Sequence, residues 1–85
     1  MSDESEYLRF ERDTDAEAGL KTQVWLVVSR SSDVELGQIR WFGRWHQYAF
    51  YPEQGTIWNQ GCLADVNWVM RRLMSERRGP QKERR

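Results

Sequence analysis

The sequence predicts an α+β domain in which an antiparallel sheet of three or four strands packs one face on a C-terminal amphipathic helix. Two observations carry this prediction. Apolar residues alternate with polar ones over much of residues 22–51, and the apolar period then lengthens to three or four over residues 62–78. Sequential hairpins followed by one helix need no crossover connection, so this order of elements is the simplest arrangement.

The strands are placed by runs of β-branched and aromatic residues that lie between turn-forming residues. Residues 7–10 alternate weakly and fit a short edge strand, and residues 13–19 read as a polar turn. Residues 22–29 (TQVWLVVS) give the clearest strand. Further strands are expected over residues 35–42 and 45–51, with a short one over 56–58 after the turn signal of residues 52–55.

Gly43 and Arg44 fit a two-residue type II′ hairpin, with Gly43 at the positive φ that this turn requires. Phe42 would then lie opposite Trp45. A three-residue turn would instead shift the register by one and exchange the two faces. On the two-residue register, the face expected in the core holds Ile39, Trp41, His46, Tyr48 and Phe50, and the face expected to contact a partner holds Gln38, Arg40, Phe42, Trp45, Gln47 and Ala49.

The final element is predicted as a helix over residues 62–78, ended by Gly79 and Pro80. On a helical wheel Trp68 lies about 200° from Val66, the centre of the apolar stripe, and shares the polar side with Arg71 and Arg72. We expect Trp68 either to be covered by the N-terminal segment or to be presented to a partner. The apolar stripe consists of Cys62, Leu63, Val66, Val69, Met70, Leu73 and Met74.

Length and composition set further limits. The 85 residues make one domain over residues 1–85, and we expect residues 1–6 and 79–85 to be flexible tails. The single cysteine excludes an internal disulfide, and no apolar run approaches the roughly 20 residues of a membrane span, so no membrane partner is expected. The acidic start does not fit a secretory signal, which makes the cytoplasm the expected location.

The formal net charge of zero conceals a separation of charge. Residues 1–17 hold seven carboxylates and two arginines, whereas residues 71–85 hold seven cations and two carboxylates. Such an asymmetry is typical of contact with nucleic acid or an acidic partner, but it also fits two solvated ends that keep a neutral domain dispersed.

Histidine and cysteine, which often serve in catalysis or metal binding, each occur once in the chain. His46 is the only imidazole, and the predicted register places it in the core as a structural residue. Cys62 falls on the apolar stripe of the helix and is expected to be a packed thiol. We therefore predict no catalytic residue, no metal ligand, no cofactor and no enzymatic activity.

Aromatic residues are concentrated between residues 41 and 68, in more ring surface than a small core can hide. The expected function is a non-catalytic binding module that engages a host or self protein partner, with homo-oligomerisation as a special case. The alternative is nucleic-acid binding, in which glutamine and arginine side chains of the sheet address bases and helix arginines contact phosphates. The residues expected to contact the partner are Gln38, Arg40, Phe42, Arg44, Trp45, Gln47, Trp68, Arg71 and Arg72.

Residues 36–66 (LGQIRWFGRWHQYAFYPEQGTIWNQGCLADV) resemble a pattern in small uncharacterised phage and bacterial proteins. In that pattern an LGxIxW strand precedes a YxFxP strand, a threonine-containing segment and a CLxDI-like helix start. The order of elements also resembles, more faintly, DNA-binding domains of the ethylene-response-factor type and the arm-binding domains of tyrosine integrases. That resemblance implies insertion of the sheet into the DNA major groove, although those sheets carry many arginines and this one offers only Arg40 and Arg44.

Overall fold

The computed structural model describes residues 7–78, which form a four-stranded antiparallel sheet and one helix. The elements are β1 (Leu8–Arg12), β2 (Trp25–Ser29), β3 (Glu35–Phe42), β4 (Gln47–Pro52) and α1 (Gln60–Arg78). The strands lie side by side in chain order. The predicted fold class is confirmed, whereas the expected flexible tails lie outside the described residues.

The core lies between one face of the sheet and α1. Every second side chain of a strand points to the same face, and helix side chains three or four residues apart share one face. The core is formed where these two sets of side chains meet. Each fully buried aliphatic side chain contributes about 1.5–3 kcal/mol, so this layer supplies most of the stability. Its buried members are Leu8, Val27, Ile39, Tyr48, Val66, Val69 and Leu73.

The β3–β4 hairpin differs from the prediction in its turn. Gly43 does not have a positive φ, and the loop contains four residues, 43–46, rather than two. Trp45 N–H donates to the Phe42 carbonyl at 3.1 Å, His46 N–H donates to the Gly43 carbonyl at 3.2 Å, and His46 takes the left-handed conformation at φ 55°. Histidine is among the residues enriched in that conformation, so the loop places its positive φ there and not on glycine.

The predicted register of this hairpin is therefore wrong by two residues. Phe42 pairs with Gln47, Trp41 with Tyr48, and Ile39 with Phe50. Because side chains alternate with period two, a shift of two leaves every strand residue on its predicted face. Only the loop residues change role: His46 is exposed in the turn instead of buried, and Trp45 precedes β4 instead of starting it.

The outer edge of β4 is partly blocked. The N–H of Tyr48 points away from β3 and donates to Sδ of Met74 in α1 at 3.4 Å, and Pro52 has no N–H to offer. The short strand predicted at residues 56–58 does not form. Instead, the Thr56 hydroxyl donates to the Glu53 carbonyl at 2.7 Å and accepts from the Trp58 indole N–H at 2.8 Å.

The fourth strand is the N-terminal β1, which the weak alternation of residues 7–10 indicated. The loop that joins β1 to β2 is fastened by Glu17. Its carboxylate accepts two hydrogen bonds from Arg12, at 2.8 and 2.9 Å, and a third from the Val24 N–H at 3.0 Å. The Arg12 guanidinium, followed by the Val24 N–H, holds the pKa of Glu17 below its usual value.

Two local features set the positions of β3 and α1. Gly37 leaves space for the Phe50 ring, since a Cβ atom there would stand 2.7 Å from Cε1 of that ring. Asn59 caps the helix by accepting the Cys62 N–H at 2.8 Å, which starts α1 at Gln60, two residues before the predicted start.

Candidate interaction surface

The sheet face opposite α1 is here called the open face. The residue pairing places Gln38, Arg40 and Phe42 of β3 there, together with Gln47, Ala49 and Tyr51 of β4 and Leu26 of β2. None of these residues belongs to the core cluster formed with α1. Among residues 7–78, no helix packs on this side of the sheet.

Trp45 is the most prominent ring next to the open face. It is 61% exposed, the largest exposure of the five tryptophans in the chain. Its ring meets Phe42 edge-on, with 4.6 Å between centroids and 75° between planes. The predicted cross-strand pairing of Phe42 with Trp45 is wrong, and the two rings meet because the four-residue loop folds Trp45 back over the end of β3.

A second part of the open face is polar and held by hydrogen bonds. Arg40 Nη1 donates to Gln38 Oε1, and Gln38 Nε2 donates to the Glu35 carboxylate, each at 3.3 Å. Tyr51, 39% exposed, pairs across from Gln38 and lines a shallow depression with it and Arg40. Partly covered polar groups fixed in this way are pre-organised for a contact, because less side-chain freedom remains to be lost.

The helix residues that the sequence offered as an alternative contact surface lie away from the open face. Trp68 is half-buried against the core cluster. The Arg72 guanidinium lies 5.6 Å from the ring centres of both Trp68 and Trp25. Arg72 also pairs with Glu76 at 3.4 Å. Trp68 is therefore covered by a neighbouring arginine and packed at the flank of the helix, and it is not presented on the open face.

Arg71 and Arg44 complete the predicted set. Arg71 is exposed on α1 and borders a polar groove between the helix and the start of β4, which Gln47 also lines. Arg44 is exposed in the hairpin loop beside Trp45. The nine predicted contact residues thus divide into four on the open face, two in the adjoining loop and three on the helix.

Most of the aromatic rings pack against other side chains of the same protein. Phe50 meets Trp58 edge-on at 4.7 Å, and Trp41 meets Tyr48 edge-on at 5.3 Å. The Arg77 guanidinium covers Trp41 at 4.2 Å from its ring centre. The rings left with large exposure are Trp45, Tyr51 and Tyr7, the last of which precedes β1. The aromatic surplus expected from the sequence is thus smaller than predicted and centred on Trp45.

The other chemistry of the described residues is limited. Across residues 7–78 no three His, Cys, Asp or Glu side chains lie close enough to share a metal ion. Cys62 is half-buried and borders a small depression beside Leu36. Over the same span no helix is sufficiently long and apolar to cross a bilayer.

A comparison with known proteins finds one relative from a phage. The "Uncharacterized 9.3 kDa protein" of Acholeplasma phage L2 is 30% identical over 60 residues, which cover 71% of this chain and 77% of the phage protein. The chain belongs to the family of this small phage protein. The predicted resemblance to phage proteins is confirmed at this level, and the fainter one to DNA-binding domains stays a prediction. No family profile matches the chain, and no solved structure does.

Proposed function

We propose that this phage-related protein is a non-catalytic, cytoplasmic binding module that docks a protein partner on the open face and the adjoining loop, with Trp45 as the principal anchor. The observation that carries the proposal is the position of Trp45. A 61% exposed indole stands at the end of a hairpin, supported by Phe42 and excluded from the core. Exposed tryptophans held by a rigid neighbour are typical of residues that dominate binding energy.

The charge of this surface favours a protein over a nucleic acid. The sheet side opposite α1 carries Arg9 and Arg40 but also Glu11 and Glu35, so with Arg44 of the adjoining loop the formal charge of the surface is only +1. Arg9 is further engaged by the carboxylate of Asp33 at 2.8 Å. A surface that binds duplex DNA is normally strongly positive, whereas tryptophan, tyrosine and arginine in a neutral setting are typical of protein interfaces.

The energy expected from the anchor can be estimated. When an interface tryptophan is fully covered by its partner, truncating it to alanine typically costs about 2–4 kcal/mol of binding free energy. That loss corresponds to a decrease in affinity of about 30-fold or more. Because Trp45 lies outside the core, the same truncation should change the free energy of unfolding by less than about 1 kcal/mol.

The test begins with a displayed library of bacterial protein fragments panned against the full chain. Binders are then titrated by calorimetry into wild type, Trp45→Ala and Ile57→Ala. Ile57 is the matched control, because it is 96% exposed and lies outside the open face. Random duplex and single-stranded oligonucleotides are titrated in parallel at two salt concentrations.

We expect fragments whose affinity falls about 30-fold or more in Trp45→Ala and is unchanged in Ile57→Ala. The proposal is overturned if every recovered fragment binds Trp45→Ala as tightly as wild type. It is also overturned if the chain instead retains oligonucleotides in a manner that weakens steeply with added salt, since that dependence marks the release of counterions from phosphates.

A further inference from the structure

A groove lies between α1 and the start of β4, and it is here called the α1–β4 groove. Its less exposed lining residues, which form the floor, are Met70 and Met74 of the helix and Tyr48 of the strand. The Tyr48 N–H donates to Sδ of Met74 at 3.4 Å, so the floor is tied to the strand. The groove has a volume of about 420 Å³, which is a size typical of ligand sites.

Three polar side chains form the rim of this groove on the helix side. Asn67, Arg71 and Ser75 follow one another at intervals of four residues, which places them in one row along the flank of α1. All three are exposed, and none of their side chains has a hydrogen bond or an ion pair with another of residues 7–78. An amide, a guanidinium and a hydroxyl are therefore available to a ligand.

The charge of the α1–β4 groove has one sign. Among the described residues, Arg71 is the charged residue that lines it, and no carboxylate does. The depression on the open face differs, because Arg40 and Glu53 both line it and their charges cancel. A guanidinium with no carboxylate beside it can donate two parallel hydrogen bonds to an incoming carboxylate. The groove is therefore complementary to an acidic group.

The floor of the groove favours an apolar group next to that carboxylate. Met70 and Met74 are half-buried, so part of each side chain faces the groove. Thioether side chains are flexible and polarizable, and they adapt their shape to different apolar partners. The matching ligand thus combines a carboxylate for Arg71 with an aliphatic group for the two thioethers.

The exposure of the rim indicates a peptide as the ligand. Because Asn67, Arg71 and Ser75 are all exposed, the groove is open to solvent along the helix. Small-molecule sites usually enclose most of the ligand surface, whereas an open groove covers one side of a longer chain. A single cation also suits one carboxylate better than a nucleic-acid strand, whose phosphates are bound by several cations.

We propose that the α1–β4 groove binds an acidic peptide segment of a partner protein. A carboxylate side chain of the segment pairs with the Arg71 guanidinium, and a neighbouring aliphatic side chain packs on the two thioethers. Asn67 and Ser75 bond to main-chain groups of the segment. This inference does not rest on the proposed function, because Trp45 takes no part in the site.

The test uses two short peptides that are blocked at both ends and carry either one glutamate or one glutamine between two leucines. Each peptide is titrated into the full chain labelled with ¹³C at the methionine methyl groups. The NMR signals of Met70 and Met74 then report on the floor of the groove. The glutamate peptide should bind about fivefold or more tightly than the glutamine peptide, because a hydrogen bond between two charged groups is stronger than one to a neutral amide.

Arg71→Gln removes the guanidinium from an exposed helix position at which glutamine is a comparable helix former, and circular dichroism should show a folded chain. In this variant the two peptides should bind alike. Lys21→Gln is the matched control, because it removes one positive charge from an exposed residue of the β1–β2 loop and should keep the full preference for glutamate. Trp45→Ala should also keep it, which separates this test from that of the proposed function.

Loss of the preference in Arg71→Gln, with its retention in both other variants, supports the site. Methyl signals of Met70 and Met74 that stay unshifted at about 5 mM glutamate peptide would overturn the proposal, since even a weak site is occupied at that concentration. Equal affinity of wild type for the two peptides would overturn it as well. The same holds for an Arg71→Gln chain that still prefers glutamate.

Discussion

Replacement of Gly37 by alanine probes the closest contact inside the sheet. A Cβ atom at this position would lie 2.7 Å from Cε1 of Phe50 and 2.8 Å from the main-chain carbonyl oxygen of Tyr51. The carbonyl belongs to the paired strand β4 and cannot move without disturbing the ladder. The Phe50 ring would have to move instead, away from its edge-on contact with Trp58.

The expected loss follows from these contacts. Forcing one extra carbon into a packed site costs about 1–3 kcal/mol. Alanine recovers about 0.4–1 kcal/mol through the lower entropy of the unfolded chain, so the net destabilisation is about 1–2 kcal/mol. For a domain of this size that change lowers Tm by about 5–15 °C.

Gly43→Ala supplies the matched control. Nothing lies within 4 Å of a Cβ atom at Gly43, and its φ is not positive, so this variant should be as stable as wild type or slightly more so. Thermal and urea denaturation followed by circular dichroism would compare the two. If Gly37→Ala melted at or above the temperature of Gly43→Ala, the placement of the Phe50 ring over β3 would be wrong.

Two further outcomes follow from hydrogen bonds around the β1–β2 loop. Tyr48→Phe removes the hydroxyl that accepts the Gln23 N–H at 3.0 Å. Because this partly buried donor then has no acceptor, we expect the free energy of unfolding measured in urea to fall by about 1–2 kcal/mol. An unchanged urea midpoint would contradict this expectation. Because the folded-state pKa of Glu17 lies below its unfolded value, its stabilisation is complete above that value of about 4.5 and is lost as the pH falls through the folded-state pKa. Glu17→Gln should therefore be less stable than wild type near neutral pH, and the difference in stability should narrow as the pH falls below about 4.5. A constant difference in urea titrations over that range would refute the assignment.

Much of the fold could be predicted from hydrophobic periodicity. The alternation in residues 35–42 predicts β3 with the bounds that the structure has. Gln38, Arg40, Phe42 and Gln47 share the predicted face, because an error of two residues in register preserves the alternation. The start of α1 was set two residues late, since Gln60 and Gly61 carry no apolar signal, although Asn59 is a residue type that commonly caps helices.

The remaining differences arise where local residue type does not decide the geometry. Gly43 fits a two-residue turn, but glycine also tolerates a longer loop, and the positive φ fell on His46 instead. The wheel places Trp68 on the polar side of the helix. It does not show that Arg72 covers this ring and Trp25 together, a contact between elements that only the packed structure reveals.

The partly blocked edge of β4 bears on how readily this sheet could be extended by another chain. A strand that adds to a sheet border needs a row of free main-chain donors and acceptors. At this border the Tyr48 N–H is bonded to the Met74 sulfur and Pro52 has no N–H, so two of the positions that an added strand would need as donors offer none. A thioether and a proline thus weaken this border as a template in a chain whose net charge, being zero, gives no repulsion between copies.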